Sequence, residues 1–193
     1  MNIFKEKIIL ELDKELGAID GGDNLLYYLE NGTDFETAPG STIFHSNGEG
    51  GLAKHSWNVY ELLKEKVERF ELKTPSRSVA ICGLLHDACK LNTYVKGKKW
   101  SKDTGTWQQI DCWEVKDEFP FGHGEKSVAV LQRFIKLTDE EMLAIRWHLG
   151  PFLPGTHFPY PDGMAYKKAK ELYPLVTLLY AADLESSELL EKK

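Results

Sequence analysis

Six histidines stand in this chain of 193 residues: His45, His55, His86, His123, His148 and His157. Four of them, His55, His86, His123 and His148, fall on the core-facing side or at the end of segments with helical periodicity. Two carboxylates do the same. Asp87 follows His86 directly in "GLLHDACK", and Asp183 closes the apolar stretch "LVTLLYAA". A carboxylate on so apolar a segment is costly unless compensated, and a divalent cation would compensate it. An Arg or Lys partner, or backbone N–H groups, would serve Asp183 as well, and a lone histidine is more simply a satisfied core residue. The set of six points further, because helical bundles build metal sites from side chains projecting inward from facing helices. Imidazole and carboxylate without thiolate suit Fe, Mn, Co, Ni or Zn, one ion or two, rather than the all-oxygen sites of Mg or Ca. An adjacent His86-Asp87 pair suits two ions in particular. Both oxygens of Asp87 can then bridge cations about 3.5–4 Å apart.

The elements that must position these groups read as helices with one interruption. Phe4, Ile8, Ile9, Leu12 and Leu16 predict an amphipathic helix over residues 2–17, and a second, short helix covers 24–29. Residues 31–51, rich in Gly, Thr, Ser and Asn, read as loop. "GGLAKHSWNVYELLKEKVERF" places His55 on the face marked by Leu52, Val59, Leu62, Leu63, Val67 and Phe70, and a further helix is expected over 76–90. From residue 92 the pattern changes to β-formers, with turn dipeptides at Lys96-Gly97 and Thr104-Gly105, which predicts a hairpin or three short strands. Helices resume near Gly124 and again at "TDEEMLAIRWHLGP", whose Thr138 and Glu141 form a capping box before a Gly150-Pro151 stop. The proline-rich "PFLPGTHFPYPDG" reads as irregular loop, and a last, buried helix runs over 174–190. The fold expected is all-α: a helical bundle with a small β-hairpin insert at about residues 92–118. It forms one domain over 1–193, with the helices of 2–30 packed on a core spanning about 42–187.

Composition narrows the setting. With 42% hydrophobic and 28% charged residues the chain has the balance of a soluble globular protein, and no stretch approaches the roughly 18 apolar residues of a membrane span. Cys82, Cys89 and Cys112 are odd in number and form no CxxC pair, so a disulfide framework is not expected and a cytoplasmic setting is. The net charge of −6 argues against broad, sequence-blind binding to nucleic acid, though not against a phosphorylated small molecule at a locally positive site. Trp100, Trp107 and Trp113 crowd the insert beside Lys96, Lys98, Lys99 and Lys102. Such a mixture can stack bases and hold a backbone. Equally, the tryptophans can fix the hairpin to the helical core while the lysines blunt its edge.

The order H…HD…H…H…D, carried by "GGLAKHSWNV", "ICGLLHDACK", "FGHGEKS", "IRWHLG" and "LLYAADLESS", resembles the HD superfamily of metal-dependent phosphohydrolases from about residue 42 to 187. It resembles the subset with two extra histidines, seen in the HD domain of bacterial 3′–5′ exoribonucleases and, less closely, in HD-GYP cyclic dinucleotide phosphodiesterases. "FPFGHGEKS" lacks the GYP loop, and residues 1–40 are too short and too helical for the OB domain of the exoribonucleases. The resemblance implies one metal on His55, His86, Asp87 and Asp183 and a second on Asp87, His123 and His148. Asp87 and Lys90 would then serve the chemistry, with metal-activated water attacking phosphorus and Lys90 in reach of a phosphate oxygen. The substrate would be a phosphorylated small molecule or nucleotide, or a short single-stranded nucleic acid. Candidate contacts are His45, Lys90, Lys126, Arg146, Lys98 and Trp100. Two other readings stay open: an HD-fold di-iron oxygenase, and a non-catalytic sensor that holds metal and nucleotide without turnover.

Overall fold

A computed structural model describes residues 2–43, 46–102, 105–150 and 160–191. The first helix, α1 (Ile3–Leu16), starts where the Asn2 side-chain oxygen accepts the Phe4 N–H at 3.0 Å. Ile8, Leu12 and Leu16, four residues apart, form its buried stripe. Then follow α2 (Gly22–Asn31), α3 (Gly51–Arg69) and α4 (Ser76–Leu85). Every residue of α4 from Ser78 to Leu85 is buried, so this helix is the hub of the bundle. After the hairpin come α5 (His123–Leu131), α6 (Asp139–Arg146), α7 (Tyr160–Leu172) and α8 (Pro174–Glu185). Helix α3 packs on α1, α4 and α8, and α6 packs on α4, α5 and α8. The architecture is the expected one, mostly helical with one small antiparallel sheet. No helix among the described residues is long and apolar enough to cross a membrane.

Two glycines permit close approaches that set up the site. A Cβ on Gly83 would lie 2.6 Å from the Tyr60 Cα, so α4 can lie against α3 at that level only without a side chain there. A Cβ on Gly124 would lie 2.3 Å from the Arg146 carbonyl oxygen, which brings the start of α5 onto the end of α6.

The structure departs from the sequence reading in five places. The helix expected over 76–90 ends at Leu85. Asp87 takes φ −98° and ψ 22°, and Ala88–Lys90 form a 3-10 turn. That break turns the Asp87 carboxylate between His86 and Lys90 instead of along a continuing helix. The last helix ends at Glu185 and widens into a π turn, Ser186–Leu190, in which the Glu191 N–H donates to the Ser186 carbonyl. Residues 160–163, read as loop, are the first turn of α7, where a proline is tolerated because the first-turn N–H groups lack helical partners. Residues 151–159 of the same stretch lie outside the described residues.

The other two departures concern the hairpin. It consists of two strands, β1 (Tyr94–Ser101) and β2 (Gln108–Val115), and Lys96-Gly97 is no turn: both residues pair within the ladder, opposite Trp113 and Cys112. Nor do Trp100 and Trp107 fix the hairpin to the core. Trp100 and Trp107 are 63% and 65% exposed, and only Trp113 is half-buried.

Candidate metal centre

His55 stands in the first turns of α3 on its buried face, as the periodicity of that helix predicts. His86 caps the end of α4, and Asp87 is the next residue. His123 opens α5, His148 follows the end of α6, and Asp183 sits near the end of α8. These five regions bring all six groups to one place. His55 Nε2 lies 3.1 Å from Asp183 Oδ1, 3.6 Å from Asp87 Oδ2 and 3.2 Å from His86 Nε2. His86 Nε2 lies 3.5 Å from Asp87 Oδ2. On the other side of the same carboxylate, His123 Nε2 lies 2.9 Å and His148 Nε2 3.5 Å from Asp87 Oδ1. One oxygen of Asp87 thus faces His55 and His86, and the other faces His123 and His148.

The ring orientations follow from the second nitrogen. The Nδ1 of His86 donates to the Gly83 carbonyl at 3.0 Å and that of His148 to the Ile145 carbonyl at 2.6 Å, because a carbonyl can only accept. The Nδ1 of His55 faces the Glu191 carboxylate at 3.1 Å. The Nε2 atoms of these three rings are therefore the ones turned toward the carboxylates. Among the described residues His148 Nε2 is buried without a hydrogen-bond partner, 3.5 Å from Asp87 Oδ1, a place where a cation would supply the missing partner. Among the described residues three groups bring their ligand atoms within 4.8 Å of one another inside each group: His55, His86 and Asp87; His86, His148 and Asp183; Asp87, His123 and His148. The donor set fits a divalent transition cation, and Asp87 is placed to serve two.

Electrostatics agree with that fit. Burial pushes the His86 imidazole down to about 3, so it is a neutral ring with a free lone pair. Burial also lowers His123. For Asp87 burial works toward protonation, but the Lys90 ammonium and the hydrogen bond from His123 hold it well below the usual carboxylate range. Asp183 is held low as well, its burial outweighed by His55. His55 moves the opposite way. Burial disfavours its charge, yet hydrogen bonds to Asp183 and Glu191 raise it to about 9. The centre thus gathers ionised carboxylates around rings whose Nε2 atoms are held inward, and a cation there would take the place of the His55 proton.

Lys90 lies beside the centre. Its Nζ donates to Asp87 Oδ2 at 2.7 Å and to the Gly40 carbonyl at 2.6 Å, and the neighbouring Asp87 charge holds it above the ordinary lysine value against its burial. Among the described residues, Asp87, Lys90, His148 and Asp183 form the wall of a cleft of about 130 Å³, with Tyr180 and Ser187 also lining it. That space takes a phosphoryl group but is far below the roughly 300 Å³ at which small-molecule pockets begin.

The remaining candidate contacts are engaged elsewhere or stand apart. Lys126 is buried, donating to Asp117 at 2.6 Å and to Thr93 Oγ1 at 3.1 Å. Arg146 pairs with Glu125 at 2.8 Å and stacks over Trp147 at 3.8 Å. Lys98 and Trp100 are exposed on one face of the hairpin. His45 lies outside the described residues, as does His157. Sequence reasoning missed Glu191, which touches His55 from 136 positions away, and nothing in "ESSELLEKK" distinguishes it from Glu185 or Glu188. Residues 52–187 match the HD domain family. No curated protein and no solved structure matches the chain.

Proposed function

The chain belongs to the HD domain family, and on that premise we propose that it is a metal-dependent phosphohydrolase. Its substrate would be a phosphate ester, phosphoanhydride or phosphodiester of a nucleotide or short nucleic acid. One observation carries the reading: the imidazoles of His55, His86 and His148 have their Nδ1 atoms tied back, so their Nε2 atoms converge on Asp87 and Asp183. His55, His86, Asp87 and Asp183 would hold one cation, and Asp87, His123 and His148 a second. A cation held there supplies Lewis-acid stabilisation of phosphoryl charge and acidifies water.

The chain's own side chains do the rest. Lys90 keeps its proton at any working pH, so it acts as a fixed positive charge for a phosphate oxygen and not as a base. The Cys89 thiol, pushed up to about 12 by burial, stays protonated and is no nucleophile. Asp87 stays ionised and orients the cleft-facing ammonium of Lys90. The narrow cleft admits the phosphoryl group while sugar and base stay outside it.

The test is a screen of purified protein reconstituted separately with Mn, Fe, Co, Ni and Zn against nucleotides, cyclic dinucleotides and short oligonucleotides, with and without oxygen. Release of phosphate or of a nucleoside monophosphate, undiminished under strict anaerobiosis, is the expected outcome. Turnover that needs oxygen and releases no phosphate would establish the oxygenase reading instead. Tight cation and nucleotide binding without any product would establish a sensor.

A further inference from the structure

We propose that Glu191 is a positioning residue of the metal centre: its carboxylate fixes His55 as an Nδ1–H imidazole, so that Nε2 faces the cation. The proposal rests on the metal-dependent reading above. Glu191 lies beyond the family segment of residues 52–187 and is only 6% exposed.

Its two oxygens have separate tasks. Oε1 takes the His55 Nδ1–H at 3.1 Å, the Asn58 amide at 3.0 Å and the Ser186 hydroxyl at 2.5 Å, while Oε2 takes the Ser46 hydroxyl at 2.5 Å. The π turn Ser186–Leu190 brings the residue there by folding the chain back after α8. A ligating histidine is commonly oriented by a carboxylate or carbonyl on its other nitrogen, which fixes the tautomer and raises basicity. His86 and His148 use carbonyls three residues back on their own chain segments. His55 uses a carboxylate, which makes it the most basic of the three donors, and Glu191 also ties the loop at Ser46 and the face of α3 at Asn58 into the same knot.

The test is metal affinity, measured by chelator competition on the full chain with Co(II) and Zn(II), together with the visible spectrum of the Co(II) form. Glu191→Ala should weaken affinity by the 10–100-fold typical of a lost outer partner and change the Co(II) spectrum, while the metal-free protein still unfolds cooperatively. Glu191→Gln should rescue much of this. Its carbonyl can take the place of Oε1, and its amide, in the place of Oε2, can donate to Ser46. An E191A protein with the affinity and spectrum of the unaltered chain overturns the proposal, and so does an E191Q protein as weak as E191A.

A measurement on the unaltered protein removes any dependence on how the variants fold. With zinc bound and histidine ¹⁵N-labelled, His55 should show a slowly exchanging proton on Nδ1. A proton on Nε2, or free exchange at Nδ1, overturns the proposal. If the unaltered chain binds neither cation, the metal-dependent reading itself fails, which is a distinct result.

Discussion

Asp87 is the residue on which the centre turns, because its two oxygens face two different pairs of histidines. Asp87→Ala should lose bound metal by elemental analysis and lower phosphate release by several orders of magnitude. It also strands the Lys90 ammonium, so its melting temperature should fall further than that of a surface change. Lys90→Ala should differ: metal stays, and activity falls by about 10²–10³-fold, as for other lost charge stabilisers. A Lys90→Ala protein without metal would show that the lysine acts through Asp87 and not on substrate.

The same residues set a pH dependence in the metal-free protein. His55, raised from 6.5 to about 9, contributes stability fully present below pH 6.5 and lost as pH rises to 9. Glu191, lowered from 4.5 to about 2, contributes stability present above pH 4.5 and lost as pH falls to 2, and Asp183 runs the same way. His86 runs opposite to His55: lowered from 6.5 to about 3, it loses stability as pH falls below 6.5, so chelator-treated protein should melt highest near pH 6.5 and less well on either side. A cation must displace the His55 proton, so binding near neutral pH should release about one proton, measurable by calorimetry in buffers of different ionisation enthalpy. All six ligand candidates were legible because each is a polar group at an apolar position or helix end. Glu191 was not, since only the tertiary fold places it. Lys126 and Arg146 read as candidate substrate contacts for the same reason: their partners Asp117 and Glu125 are set by the folded chain.

At the scale of elements, helix existence was legible and helix ends were not. The capping box of Thr138 and Glu141 is present as read, since both of its bonds are local. The break after Leu85 and the π turn after Glu185 depend on what Asp87 and Glu191 must reach, which no local pattern encodes. Gly83 shows how an element contact serves the site. Gly83→Ala should cost about 1–3 kcal/mol in chemical denaturation, as overpacked positions do, and should weaken metal binding by spreading His86 from His55.

The hairpin poses the opposite question. Tyr94, Lys96, Lys98 and Trp100 share one face of β1, with Trp113 across from Lys96. Replacing Lys98 and Trp100 together with alanine should leave stability within about 0.5 kcal/mol, as for exposed sites in general. If this face holds substrate, KM rises while kcat and metal content do not change. An unchanged KM would make both residues plain surface.

For the molecule as a whole, the core is one cluster running from Ile8 to Ala182. The sequence revealed its helical stripes but not that α4 would be buried on every side from Ser78 onward, because such burial needs neighbours on all of them. Ile81→Ala, at the middle of that helix and fully buried, should cost about 2–5 kcal/mol with metal site residues untouched. Added cation should recover part of that loss, since a ligand held only by the folded chain stabilises it by mass action.

The hydrogen bonds on the histidines also bear on how the chain is made. His86 and His148 are oriented by carbonyls three residues earlier, so their rings can be set as soon as those segments fold. His55 comes early along the chain, whereas its partners Asp183 and Glu191 lie 128 (183 minus 55) and 136 (191 minus 55) positions later. A nascent chain therefore displays an incomplete ligand set until Asp183 has been made. The centre closes only when α8 and the turn after it dock against α3, so cation capture has to wait for that docking.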